Sequence, residues 1–224
     1  MKRRDFVQLC AASAAGAALP DSSQAATLSA HKYARVKLVD ERGEPFRIAS
    51  LAAGKTYVFD YPYAATPCFL LKLTQPLVTG ILLHTESGEG YAWPGGVGPD
   101  KSVVAYSAIC AHKMTYPTKQ VSFIGYRDNR VTCCSDRSVY DPASGAKVVS
   151  GPAPQPLATI LLEYDPKSDE LFAVGAMGGE KFAEFFQKYA FRLQLEMGNR
   201  SRASVDGTTP VRLIDNYSAQ WAKC

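Results

Sequence analysis

Between residue 33 and about residue 175 the chain is a succession of short apolar runs, each closed by turn residues. Such runs occupy 34–39, 56–59, 68–73, 80–83, 103–106 and 159–164. They are of strand length, rich in β-branched and aromatic residues, and separated by Gly, Pro, Asp and Asn. Many short strands at this spacing predict an all-β sandwich or small barrel of stacked antiparallel sheets. Asp165, Pro166 and Asp169 between two of the runs read as a hairpin turn. After Gly178 and Gly179 the pattern changes. Residues 180–197 space Phe182, Phe185, Phe186, Tyr189, Phe191, Leu193 and Leu195 among charges, which predicts one amphipathic C-terminal helix ended by Gly198. Its aromatic face is expected to pack on the domain. A polar stretch and a tail ending in Cys224 follow, and no internal repeat or low-complexity linker is visible.

A chain of 224 residues holds one domain with attachments and can bury a core that needs no cysteine staples. The formal net charge of +4 includes a basic N-terminus, and no basic run with interleaved aromatics occurs, so nucleic acid is not an expected partner. Residues 1–25 read as an export signal. Lys2, Arg3 and Arg4 precede an apolar stretch, and Ser23 and Ala25 supply small residues for cleavage. Arg3 and Arg4 before Asp5 and Phe6 resemble the twin-arginine motif, which exports folded proteins to the periplasm. The other reading is an uncleaved anchor, the one route by which this chain would meet a membrane. The expected division is signal at 1–25, domain at 26–177, and helix and tail at 178–224.

Cys10 falls in the signal, leaving Cys68, Cys110, Cys133, Cys134 and Cys224. An odd number in an oxidising compartment leaves at least one free, ligating or joined to another chain. Cys68 opens an apolar run and reads as a small buried side chain. Cys224 could pair with Cys68 or with a partner chain. The chemistry concentrates in two segments: Cys110-Ala111-His112, and Cys133-Cys134-Ser135-Asp136 followed by Ser138, Tyr140 and Asp141. A Cys-x-His pair with a second Cys-rich loop some twenty residues on suits two adjacent loops gripping an iron–sulfur cluster. Thiolates suit one ferric iron, and imidazole on the other raises the potential.

Around these segments the chain resembles the Rieske family. Rieske domains carry Cys-x-His in one loop, Cys-x-x-His then Gly-Ser-x-Phe/Tyr-Asp in the second, and Gly-Pro-Ala-x-x-Pro-Leu in a third. Ser138, Tyr140 and Asp141 stand in that order here, and residues 151–157 match the third loop at every fixed position. Gly98, Pro99 and Asp100, residues 104–107, and Tyr61-Pro62 with Pro67-Cys68 look like the small subunit of arsenite oxidase. The resemblance covers roughly residues 33–175 and implies a cluster-binding subdomain around 108–157.

In that register the second cysteine ligand falls on Cys133, and the second histidine falls on Asp136. The resemblance therefore implies a [2Fe–2S] cluster held by Cys110, His112, Cys133 and Asp136, with Ser138 and Tyr140 donating to cluster sulfurs. Cys134 is the alternative ligand, in a register that would put Arg137 at the histidine position. Many members join the two loops by a disulfide whose positions are Thr115 and Ser135 here, so a disulfide-free site is expected. Lys113 and Met114 would form the exposed cap over it. His31 and His84 read as surface or satisfied core residues. The implied role is one-electron transfer as an oxidoreductase subunit, between a catalytic large subunit, in the resemblance a molybdenum-containing one, and a cytochrome-type carrier. Two other readings stay open: a clusterless interaction subunit, and a mononuclear metal protein using the same four residues.

Overall fold

The computed structural model describes residues 30–224, so the export signal read at 1–25 lies outside the described residues. The strands are β1 (His31–Val39), β2 (Thr56–Asp60), β3 (Pro67–Lys72), β4 (Leu82–His84), β5 (Gly90–Ala92) and β6 (Val103–Ser107). They continue with β7 (Ile124–Arg127), β8 (Arg130–Cys133), β9 (Ser138–Asp141), β10 (Lys147–Ser150), β11 (Thr159–Asp165), β12 (Glu170–Met177), β13 (Thr208–Pro210) and β14 (Arg212–Leu213). An eight-stranded sheet runs β13-β1-β12-β11-β6-β3-β2-β14, a four-stranded sheet runs β10-β9-β8-β7, and β4 pairs with β5. The expected Rieske-type all-β architecture with a small separate subdomain is what the chain forms.

The apolar runs read from the sequence become the centre of the large sheet because they are buried on both faces. Along β3, Cys68 and Leu70 face the main core, where they meet Val36, Leu38, Phe59 and Phe185. Phe69 and Leu71 point the other way, toward Tyr106, Ile124, Val131 and Tyr140. Strand β6 divides likewise, with Val103 and Ala105 on one side and Val104 and Tyr106 on the other. The period-two alternation thus serves two cores at once. The four-stranded sheet lies over the outer face, fastened by Tyr106 Oη donating to the Pro142 carbonyl (2.7 Å) and Thr56 Oγ1 donating to the Tyr126 carbonyl (3.1 Å). The hairpin read at 165–169 joins β11 to β12, with Asp165 opposite Glu170.

The C-terminal part corrects two expectations. The single helix predicted over 180–197 is two, α1 (Phe182–Lys188) and α2 (Ala190–Met197), because Tyr189 leaves helical geometry at φ −106°, ψ 15°. Phe182, Phe185 and Phe186 are buried in the main core, whereas the break turns Phe191 (80% exposed) and Leu195 (71%) to solvent. The tail is no appendage. Residues 208–210 pair in parallel with β1, and residues 212 and 213 pair with β2, so consecutive residues supply both edges of the large sheet. Val211 donates its N–H to the Val39 carbonyl (2.8 Å), and Thr209 Oγ1 donates to the Asp60 carbonyl (3.0 Å). The sheet thereby curls into a nearly closed barrel without free long edges. A short helix, α3 (Ile214–Tyr217), then leads into the last residues.

Burial at this seam raises the Asp60 carboxyl to about 7, with Arg212 and Lys119 only partly offsetting it. A carboxyl whose folded pKa is raised binds more protons folded than unfolded, so its contribution to stability is present below the unfolded pKa and falls as pH rises toward 7. Asp60→Asn is expected to match the parent near pH 4 and to gain on it through pH 7. The difference should plateau at a few kcal/mol, read by urea denaturation at each pH.

Candidate metal centre

Three loops meet at the end of the four-stranded sheet. The first follows β6 and turns back on itself, with the Cys110 N–H donating to the Thr115 carbonyl and the Met114 N–H to the Cys110 carbonyl (both 2.9 Å). The second leaves β8 at Cys133 and closes through the Arg137 N–H on the Cys133 carbonyl (2.8 Å). Met114 (φ 55°) and Arg137 (φ 61°) both adopt the left-handed conformation, which side chains other than Gly, Asn and Asp seldom adopt. The third loop begins at Gly151 (φ 88°), where a Cβ would lie 2.5 Å from Ser138 Cα and 2.6 Å from the Arg137 carbonyl oxygen. Glycine is needed there so that the third loop can lie directly on the second. The Ala153 N–H then donates to Ser138 Oγ (3.1 Å), and Gln155 ties the loop to Gly179 and Glu86.

These loops bring Cys110, Cys133 and Asp136 together, with their ligand atoms all within 4.8 Å of one another. The Asp136 side chain is only 3% exposed. Its Oδ1 accepts the Ser138 N–H (2.9 Å), while Oδ2 lies 2.9 Å from His112 Nδ1 and 3.4 Å from Cys110 Sγ. His112 is the one member with a substantial open face, its side chain 35% exposed. Tyr140, fully buried, sets its hydroxyl 3.4 Å from Cys110 Sγ, where it also accepts the Ala111 N–H (3.2 Å). Ser138 is buried as well, its hydroxyl holding the third loop as acceptor rather than lying free beside the sulfurs.

The electrostatics divide the two sulfurs, favouring the anion at Cys110 and at Asp136 and opposing it at Cys133. The Cys110 thiol is drawn down to about 7, chiefly by the hydrogen bond from Cys133, with Tyr140 and the His112 and Lys113 backbone assisting against burial. Cys133 is pushed up because its proton is committed to Cys110, and because it is buried beside two negative groups. Burial works against the Asp136 carboxylate, but the Ser138 N–H, Cys133 and His112 outweigh it and hold the group below its ordinary range. The donor group is two sulfurs and a carboxylate, which could hold a metal ion, and the His112 imidazole adjoins it through its contact with Asp136.

Several expectations meet the structure differently. Cys134 is bonded to Cys224, so it does not serve as the alternative ligand, and Cys224 takes neither Cys68 nor a partner chain. The cause is direction. Cys134 follows Cys133 on a strand end, so its side chain faces the opposite side of the turn, toward the tail. The disulfide-free site is corrected in the same way. No bridge joins the first loop to the second among the described residues, but the second loop is covalently tied to the C-terminus. Cys68 is buried and free, its Sγ 3.0 Å from the Tyr61 carbonyl oxygen. Lys113 is exposed as the cap reading expected, whereas Met114 is half-buried against the main core. His31 and His84 lie at the surface.

Tyr140→Phe would leave the Ala111 N–H and Cys110 without their shared partner. It is expected to cost roughly 1–3 kcal/mol of stability in metal-free protein, measured by denaturant unfolding.

No protein-family model matches the sequence. Over 185 residues the chain is 30% identical to the iodate reductase subunit IdrB of Denitromonas iodatirespirans, covering 80% of this chain and 82% of the relative. The iodate reductase subunit IdrB of Pseudomonas sp. (strain SCT) is 27% identical over 186 residues, or 80% of each chain. Among solved structures, the soluble domain of the Rieske protein II (soxF) from Sulfolobus acidocaldarius aligns at a TM-score of 0.46 with 25% identity, over 66% of this chain and 82% of that one. With three loops built on the Rieske motifs and this kinship over most of its length, the chain belongs to the Rieske family, alongside the iodate reductase subunit IdrB.

Proposed function

We propose that this chain is the electron-transfer subunit of an oxidoreductase, carrying a [2Fe–2S] cluster on Cys110, His112, Cys133 and Asp136. The observation that carries the reading is the convergence of two buried sulfurs with the Asp136 carboxylate, beside an imidazole that faces solvent. When bound, the cluster would supply a one-electron couple. The chain's own groups would set its character. Tyr140 donating toward Cys110 would favour the reduced form, whereas a carboxylate where an imidazole is expected would favour the oxidised form. The half-open His112 gives a short route for electrons from the protein surface, past exposed Lys113.

The relatives are subunits of an iodate reductase, so a catalytic partner subunit fits this chain too. By the resemblance to the arsenite oxidase small subunit that partner holds molybdenum, and a cytochrome-type carrier takes the other side of the exchange. The substrate belongs to the partner and is not assigned. Residues 1–25 would deliver the folded subunit to the periplasm through a twin-arginine-type route, and the Cys134–Cys224 bond suits that oxidising setting.

Dithionite-reduced protein, reconstituted anaerobically, is expected to give a rhombic electron paramagnetic resonance signal with two irons and two sulfides per chain. One bound metal without acid-labile sulfide would instead establish a mononuclear centre, and no metal at all a clusterless subunit. Asp136→His is expected to raise the reduction potential by on the order of 100 mV, read by redox titration, because it replaces an anionic ligand by a neutral one.

A further inference from the structure

The last seven residues run behind the site in contact with both of its cysteine-bearing loops. Ser218 Oγ donates to the Thr118 carbonyl (2.6 Å), and the Ala219 N–H to the Lys119 carbonyl (2.9 Å), gripping the stem by which the first loop leaves the site. The chain then pairs with Ser122, which donates to the Gln220 carbonyl and accepts from Ala222 (2.9 and 2.8 Å). Trp221 packs its ring against Gly125, where any Cβ would clash with it, and the Arg127 guanidinium lies 4.1 Å from the ring centroid. Its Nε1 donates to Asp215 (2.7 Å). The run ends at Cys224, bonded to Cys134, the residue next to Cys133 and within the turn that holds Asp136. Cys134 itself donates its N–H to the Phe123 carbonyl (2.7 Å), so residues 118–125 are held between the second loop and the tail.

We propose that residues 218–224 are a strap that fixes the Cys133–Asp136 turn relative to the Cys110–His112 loop. The strap links the loops from behind, through Thr118 at one end and Cys134 at the other, whereas in front only the polar contacts of Asp136 and the two sulfurs join them and, among the described residues, no disulfide does. Cys224 and Trp221 are positioning residues, since neither reaches the ligand atoms. The inference rests on the proposed centre only in that the turn it steadies carries Cys133 and Asp136. Its geometry is independent of what binds there.

The test uses the full oxidised chain, metal-free, as parent, Cys224→Ser and Ser218→Ala. Peptide mapping without reductant should join Cys134 to Cys224 in the parent, and a free Cys224 thiol would overturn the proposal. In Cys224→Ser, hydrogen exchange at Cys134, Arg137 and Ser138 should accelerate about tenfold or more, and alkylation of Cys110 and Cys133 should quicken with it. Amides of Leu70 and Ala105 in the central strands should stay protected. Ser218→Ala should raise exchange at Cys110 and Met114 by a smaller factor. Unchanged loop exchange would overturn the strap, and so would an equal rise throughout the barrel, which would mark a general staple. In iron–sulfide-reconstituted protein, Cys224→Ser should broaden the resonance signal by letting the turn sample several geometries. If parent and variant alike take up no iron and sulfide, the cluster reading fails, while the exchange result still decides the strap.

Discussion

Two-sided burial of β3 and β6 is the constraint from which the architecture follows. Leu70 and Ala105 have no water on one side because α1 and the barrel strands cover them, and Phe69 and Tyr106 have none on the other because the small sheet does. Leu70 and Phe69 are each worth on the order of 1.5–3 kcal/mol when fully buried, and neither layer could leave without exposing several apolar side chains at once. The small sheet is therefore not a mobile module clipped to a scaffold. It is half of the cover on the central strands, and its loops inherit that rigidity.

The site converts that rigidity into close placement of charged and polar donors. Asp136 is its hub, since one carboxylate touches the backbone of Ser138, the imidazole of His112 and the sulfur of Cys110. Putting a carboxylate where only 3% of its surface meets water is costly unless its lone pairs are filled. Here the loop's own N–H and two neighbouring side chains fill them. Gly151 makes the packing possible by removing the one atom that would hold the third loop off the second.

Much of this was legible in the sequence. The strand-length apolar runs at 68–73 and 103–106 become central strands, and of the residues the motif loops name, Cys110, Cys133 and Asp136 have their ligand atoms within 4.8 Å of one another. The chain's final residues were not legible. Nothing in the pattern at 208–213 distinguishes two edge strands from a polar tail, because edge strands of two or three residues draw their pairing from β1 and β2 rather than from their own propensity. The helix break at Tyr189 likewise follows from seating Phe185 and Phe186 in the core, since no Pro or Gly marks it. The Cys134–Cys224 bond had one faint sign, an odd cysteine at the terminus beside an adjacent pair in a loop. Which cysteine of the pair faces the tail depends on the register of β8, which only tertiary packing sets.

Both edges of the large sheet come from residues 208–213, either side of Val211. That gives the molecule an order of assembly. Emerging from the ribosome, the chain completes all three site loops by residue 157, yet the barrel beneath them still has two open edges until residues 208–213 appear. Up to that point β1 and β2 each present an unpaired row of backbone groups, the kind of edge that recruits other chains. Shortening the protein from its C-terminus would therefore not trim an accessory. It would leave the edges of β1 and β2 uncovered beneath loops that are already complete.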